Sequence, residues 1–334
     1  MINVGVIGYG YWGPNLVRNF YANQDANVSK VCDLSKERLA LVESGYPSVK
    51  TTTDHKDIIK DTNIDAVVIS TPVSAHFPLA QEALENGKHV LLEKPMTATV
   101  EESEKLIGLA EKKKKALMVD HTFLYTGAVR KMKDLVQSGE LGDIYYFDSV
   151  RVNLGLFQHD VNVIWDLAPH DFSIMDYLLQ KDPEMVSAVG VCHLGDLENI
   201  AYVTVQYPGN LLGHLHVNWL APVKVRTTLI GGTKKMVVYD DTEPSEKVKI
   251  YDKGVSYSEK KEDVYQMLVQ YRSGDMLAPK LEPSEALKLV SKEFVDSINE
   301  DRKPLTDGVA GLRVVKLLES ANESMKQKGK VIKL

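Results

Sequence analysis

Five short apolar runs punctuate the first 121 residues: INVGVIG (2–8), VSKVCD (28–33), DAVVIST (65–71), HVLLEK (89–94) and ALMVDH (116–121). Between them lie segments of helical period, such as AHFPLAQEALENG (75–87), which closes on a glycine suited to a helix C-cap. Strands that alternate with helices have few ways to bury themselves, and the pattern predicts a parallel, doubly wound α/β sheet. The runs are apolar almost throughout, as required when helices cover both faces of a sheet.

After residue 121 the rhythm changes. A helix over about 126–138 precedes DIYYFDSVRVNLG (143–155), and another is expected over about 166–180. Strand-like runs then follow with few helices between them: PEMVSAVGVCHL, NIAYVTVQYP, NLLGHLHVNWL, VRTTLIGG and KMVVYDD. Strands in succession predict an antiparallel sheet in an α+β domain. Helical patterns at about 284–300 and 308–328 close the chain. The expected division is an α/β domain over 1–121 and an α+β domain over 122–334.

The 334 residues, 44% of them hydrophobic, suffice for about two cores. A net charge of -6 provides no field that would gather nucleic acid or anionic lipid. The one strongly basic run, EKKKK (111–115), falls late in a helical pattern, where cations suit the negative helix end. The two cysteines, Cys32 and Cys192, form neither a disulfide framework nor a zinc motif and fit a reducing compartment. MINVGVIGYG has neither the basic region nor the long apolar region of a signal peptide. No stretch approaches the roughly 20 apolar residues of a membrane span. A cytoplasmic protein is expected, with no nucleic-acid or membrane partner.

VIGYGYWGPN (6–15) sets Gly8, Gly10 and Gly13 in GxGxxG spacing between the first strand and a helix. Gly8 permits the tight turn, Gly10 lets the backbone approach a pyrophosphate, and Gly13 allows close helix–strand packing. Tyr11 and Trp12 lie in the same turn, and Pro14 suits an early helix position. The helix amino terminus would offer free N–H groups to the phosphates. Asp33 ends the second strand, where a carboxylate accepts from an adenosine ribose and repels a 2′-phosphate. NAD is therefore expected over NADP, although Lys36 and Arg38 lie close by. Ligands of such sheets sit at the carboxyl ends of the strands. That edge receives Thr71, Pro72 and His76 from TPVSAH, and Glu93 and Lys94 from EKP.

Lys94 precedes Pro95, which holds it in extended geometry. Local sequence leaves two readings open, an exposed strand-end lysine and a lysine aimed at a substrate. In NVIWDLAPHDFSIMDYLL (162–179), Asp166 and His170 share a helix face. Pro169 belongs in a first turn, so the helix should start near Asp166. His170 aligns with Leu167, Ile174 and Leu178. Asp166 could be an N-cap and His170 a core histidine, or the pair could be catalytic.

A GxGxxG domain, a strand ending in EKP, a DxxxH helix start and the late KPLTDGVAGLRVVKLLE (303–319) together resemble the glucose–fructose oxidoreductase, inositol dehydrogenase and rhizopine-catabolism (Gfo/Idh/MocA) family. The resemblance spans essentially the whole chain. It implies a Rossmann domain followed by an α+β domain with a large, mainly antiparallel open sheet that makes subunit contacts. A homodimer or homotetramer is expected through that sheet. The family's catalytic lysine falls on Lys94, and its aspartate and histidine fall on Asp166 and His170. The implied chemistry is hydride transfer between a sugar or polyol carbon and the nicotinamide, with no metal required. Many relatives are glycine-rich before the aspartate, whereas this chain has NVIW (162–165).

GYWGPN (10–15) is similar to the branch that oxidises C3 of UDP-N-acetylglucosamine or its uronic acid. Three further residues are candidates for substrate contact. Arg151 could meet a phosphate or carboxylate or lie on an outer strand face. His121 could line the pocket or simply pack, and Asn153 follows on the strand of Arg151. In HLHVN (214–218), His214, His216 and Asn218 share one strand face, with Leu215, Val217 and Trp219 turned to the core. That polar face reads as a sheet surface at a subunit contact rather than a metal site.

Overall fold

The computed structural model describes residues 1–155, 157–257 and 269–334. The first 121 residues alternate as β1 (Ile2–Ile7), α1 (Gly13–Tyr21), β2 (Ala26–Cys32), α2 (Lys36–Gly45), β3 (Lys50–Thr52), α3 (Lys56–Ile59), β4 (Ala66–Ile69), α4 (His76–Glu85), β5 (His89–Glu93), α5 (Val100–Lys113) and β6 (Leu117–Asp120). The strands form a parallel six-stranded sheet in the order β3-β2-β1-β4-β5-β6. Strand order reverses between β1 and β4, so the loops leaving those two strands part and open a crevice at their carboxyl ends. β3 has no counterpart among the five apolar runs. It is three residues long, and its first, Lys50, is exposed.

Local signals act as the sequence suggests. Thr99 caps α5 by accepting from the Glu102 N–H, and the Glu102 side chain returns a bond to the Ala98 N–H. The basic run after Glu111 ends the same helix, with Lys114 left-handed at φ 53°. Gly87 closes α4 at φ +74°.

The remaining elements are α6 (Gly127–Gln137), β7 (Ile144–Leu154), α7 (Val163–Leu179), β8 (Met185–Val191), β9 (Ile200–Gln206), β10 (Leu212–Asn218), β11 (Leu220–Gly232), β12 (Met236–Asp240), β13 (Val248–Tyr257), β14 (Val269–Leu277), α8 (Ala286–Asn299), α9 (Gly308–Lys326) and β15 (Ile332–Lys333). β7 to β15 form one nine-stranded sheet in the order β14-β13-β12-β11-β7-β10-β9-β8-β15. Its described pairs are antiparallel except β7 with β10. On β10 the expected alternation holds: Leu215 and Val217 are buried, while His214, His216 and Asn218 are half-exposed. The polar face is knit together sideways, with Tyr202 stacked on His216 at 4.4 Å and His214 Nδ1 2.9 Å from Asp148.

The chain folds into two compact units that are not contiguous in sequence. One compact unit holds residues 1–125 and 284–319; the other holds 126–283 and 320–334. The change of pattern after residue 121 marks the end of the parallel sheet, not the end of the unit built on it. α8 returns because its apolar stripe needs cover. Phe294 meets Phe20 of α1 edge to face at 6.2 Å, both fully buried. Beyond α8, Thr306 exchanges bonds with Val119 of β6, accepting its N–H at 2.8 Å and donating its hydroxyl to its carbonyl at 2.6 Å.

Candidate active site

The glycine turn leaves β1 at the point of strand reversal. Gly8 takes φ +98°, and a Cβ there would stand 2.4 Å from the Ser70 carbonyl oxygen at the end of β4. A Cβ on Gly13 would stand equally close to the Gly8 carbonyl, while Gly10 faces open space apart from Arg38. Ser70 Oγ donates to that carbonyl at 2.8 Å and locks the two loops together. α1 then starts with Pro14 in its first turn, with neither a side-chain cap nor an acidic residue there. Its amino-terminal N–H groups are thus left to an anion. Thr71 Oγ1 is buried above the turn with no hydrogen-bond partner among the described residues.

Asp33 is buried and already accepts the Tyr9 N–H at 2.7 Å and the Ser35 N–H at 2.8 Å, one on each oxygen. Each oxygen keeps acceptor capacity for a ribose hydroxyl. Arg38 Nη1 lies 3.6 Å from Asp33, and Lys36 is exposed at the start of α2. Tyr11 and Trp12 are exposed on the turn, edge to face at 5.7 Å. These residues fit a dinucleotide: close backbone approach, free helix N–H groups, an unpaired hydroxyl and a ribose-side carboxylate.

His76 bridges two loops at this edge. It is buried, with Nδ1 2.9 Å from the Pro95 carbonyl and Nε2 2.9 Å from the Thr71 carbonyl. Both nitrogens are engaged by backbone, so the ring ties the loop after β4 to the EKP segment. Burial, the largest influence, keeps its pKa below the usual value. Pro72 is exposed beside it.

β5 and β6 pair so that Glu93 stands opposite Asp120. Two carboxyl groups are thereby buried side by side. Burial and then Asp120 push Glu93 well above the usual carboxylate range, and burial lifts Asp120 to about 6. Thr122 Oγ1 donates to Asp120 at 2.7 Å, and the Lys94 N–H donates to Glu93 at 3.2 Å. Lys94 is half-buried and enters a cis bond to Pro95. His121 is buried, and neither ring nitrogen meets a partner among the described residues. Burial and the Lys94 charge lower its pKa to about 3, so the ring is neutral. Sequence reasoning missed Asp120. Its signal was available, because EK and DH end adjacent strands of one parallel sheet.

In the second unit α7 starts three residues earlier than expected. Asn162 is the cap, accepting the Trp165 N–H at 3.2 Å and donating to Glu198 and Asn322. Pro169 therefore sits inside the helix, where its ring forfeits the bond to the Trp165 carbonyl. Asp166 is not the cap. It accepts the indole N–H of the buried Trp219 at 3.0 Å. Asp166, Leu167 and His170 make the half-exposed edge of a helix whose other faces are buried, Ile174 and Leu178 among them. Trp219, which also meets Phe157 at 5.4 Å, is a partner of Asp166 that local sequence did not single out.

Arg151 is neither on an outer strand face nor open to a phosphate. It is 4% exposed, and its Nε and Nη2 donate to Asp171 of α7 at 2.7 and 3.0 Å. Its carboxylate partner is internal to the second unit. Asn153, half-buried two residues on, lies against Gly155. Among the described residues, no three His, Cys, Asp or Glu side chains group as a metal site, and no helix is long and apolar enough to cross a membrane.

Comparison with known proteins bears directly on these two units. Residues 2–121 match an oxidoreductase family with an NAD-binding Rossmann fold, and residues 129–238 match the GFO/IDH/MocA C-terminal domain. UDP-N-acetylglucosamine 3-dehydrogenase of Acidithiobacillus ferrooxidans is 28% identical over 325 residues, 94% of each chain. The solved structure of that species' UDP-N-acetylglucosamine 3-dehydrogenase GnnA superposes with a TM-score of 0.79 over 98% of both chains, at 25% identity. The NADP(+)-dependent scyllo-inositol 2-dehydrogenase IolW of Bacillus subtilis is 26% identical over 98% of this chain and 94% of its own. The oxidoreductase YdgJ of Escherichia coli is 34% identical, but the match spans only 51% of each chain. Together the two family matches cover well over half of the residues, and the chain belongs to the Gfo/Idh/MocA oxidoreductases: it is a nicotinamide-dependent dehydrogenase acting on CH–OH groups.

Proposed function

We propose that this dehydrogenase oxidises a sugar hydroxyl at C3 of a UDP-N-acetylhexosamine or its uronic acid. One observation carries the reading: the likeness to UDP-N-acetylglucosamine 3-dehydrogenase runs over 94% of both chains. Lys94, Asp166 and His170 are also all present, and Asp166 is held by Trp219. NAD, when bound, accepts the hydride from the sugar carbon. His170 takes the hydroxyl proton as the carbonyl forms. Lys94 donates a hydrogen bond that stabilises the negative charge developing on oxygen. Asp166 positions the sugar or His170. Gly8, Gly10, Gly13 and Thr71 hold the pyrophosphate side of the cofactor and Asp33 its adenosine ribose. Tyr11, Trp12, Pro72 and Glu93 complete its surroundings, with His121 and Asn153 on the substrate side.

A free sugar or inositol is the second reading, favoured by the equally long likeness to the scyllo-inositol dehydrogenase. The test is single-turnover reduction of stoichiometric NAD, followed by absorbance. UDP-N-acetylglucosamine, its uronic acid, glucose and myo-inositol are supplied separately. Reduction with a UDP-sugar, slowed about a thousandfold in Lys94→Met, is expected. Reduction with glucose or inositol alone would sink the nucleotide-sugar assignment. The same reading makes the open face of the nine-stranded sheet, which exposes Tyr202, Leu212 and Leu229, the contact of a homodimer or homotetramer. A monomer by light scattering would remove that part.

A further inference from the structure

A cavity lies in the first unit, at the amino ends of β5 and β6, the opposite strand ends from Glu93 and Asp120. It encloses about 240 Å³. Its walls are largely apolar, with Ile107 and Ala110 of α5, Leu117 of β6, and Ile298, Pro304 and Val309 from the returning segment. His89, Lys114, Lys115, Arg302 and Lys303 add cationic and imidazole groups to the lining, and Glu111, Asp301 and Asp307 add acids.

Several of these groups already have partners. Arg302 donates to Glu293 at 2.8 and 2.9 Å and to Glu300 at 2.7 Å. Lys303 stands 3.7 Å from Glu111, and Asp307 accepts the Ala310 N–H. Lys115 and His89 are different. The Ala116 N–H donates to His89 Nδ1 at 3.0 Å, so the neutral ring carries its hydrogen on Nε2. That nitrogen lies 3.4 Å from Lys115 Nζ, which has only hydrogens to offer. Two half-buried donors thus face each other, and among the described residues neither meets a hydrogen-bond acceptor. Burial, and then Lys115, lower the His89 pKa to about 4, against the weaker pull of Asp65 and Asp301. The ring therefore stays neutral with this tautomer at working pH.

We propose that this cavity binds a small oxyanion, a carboxylate or phosphate monoester carried on a compact apolar body. One of its oxygens would accept from both Lys115 Nζ and His89 Nε2, and its body would pack on Ile107, Leu117 and Pro304. The site is independent of the sugar reaction and of its cofactor.

The experiment is calorimetric titration of the full chain with benzoate, phenyl phosphate and inorganic phosphate at matched ionic strength. Saturable one-to-one binding of at least one of them below about 1 mM is expected. Lys115→Met should weaken it about tenfold to a hundredfold, as loss of a charge-assisted bond does. Benzoate alone would assign a carboxylate ligand, and phenyl phosphate alone a phosphate monoester. Lys115→Gln serves as a second variant should the first fail to fold by circular dichroism. No saturable binding of any of the three by about 10 mM would overturn the site, as would unchanged binding in a folded Lys115 variant.

Discussion

Arg151 and Asp171 in the second unit bury opposite charges against each other, whereas Glu93 and Asp120 in the first bury two like groups side by side. Two hydrogen bonds join the first pair, and Ser149 adds a third to Asp171 at 2.8 Å. In the second, burial pushes both carboxyl groups up, and His121 and Thr71 of the same unit keep polar atoms with no partner among the described residues. Burying polar groups costs free energy in both places. Where each charge is matched internally, the cost sustains architecture. Where groups at strand ends stay unmatched, their polar atoms are left available to a ligand.

The contrast can be broken most sharply from the matched side. Arg151→Met leaves Asp171 buried without its cation and should destabilise the fold by about 3–5 kcal/mol, measured by chemical denaturation. Adding Asp171→Leu to the same chain should recover much of that loss; a double variant no better than the single would show that the pair is not acting as one unit.

The like-charged side predicts a gain. Asp120 is raised from 3.8 to about 6 in the fold, so the native state binds more protons than the unfolded state between those values. Stability from this group is greatest below about 4, falls as pH climbs towards 6, and is flat above. Asp120→Asn should therefore stabilise the protein above pH 6 by up to about 3 kcal/mol, an advantage that vanishes by about pH 4. An advantage that grows towards acid would contradict the assignment.

The smallest effect concerns Thr71. Because its hydroxyl bonds nothing described in the protein, Thr71→Val should leave the melting temperature of the cofactor-free chain within about 2 °C. NAD affinity should fall by about three- to tenfold, read by fluorescence titration. Equal losses in both would make the hydroxyl structural.

The sequence displayed local features well and distant juxtapositions poorly. The glycine turn, Asp33, the EKP strand end and the alternation on β10 depend on spacing within a few residues, and each lies where the pattern placed it. β3 was too short to show a period. The start of α7 was misplaced because Pro169 suggested a first turn, whereas Asn162 holds the cap through Glu198 and Asn322. The Glu93–Asp120 pair, the Trp219 bond to Asp166 and the closure of Arg151 on Asp171 all join residues far apart in the chain. Only strand register and helix docking bring them together, and neither is written in a local window.

The return of residues 284–319 to the first unit also sets an order of events during synthesis. Phe20 waits for Phe294 through about 270 residues of later chain, and the Val119 backbone for Thr306 through about 190. At 5–20 residues per second that is about 10–55 s on the ribosome. The glycine turn is made first, yet the compact unit around it is finished almost last. A nascent chain halted before α8 should expose apolar surface to chaperones, although it already carries every residue assigned here to the cofactor and the substrate.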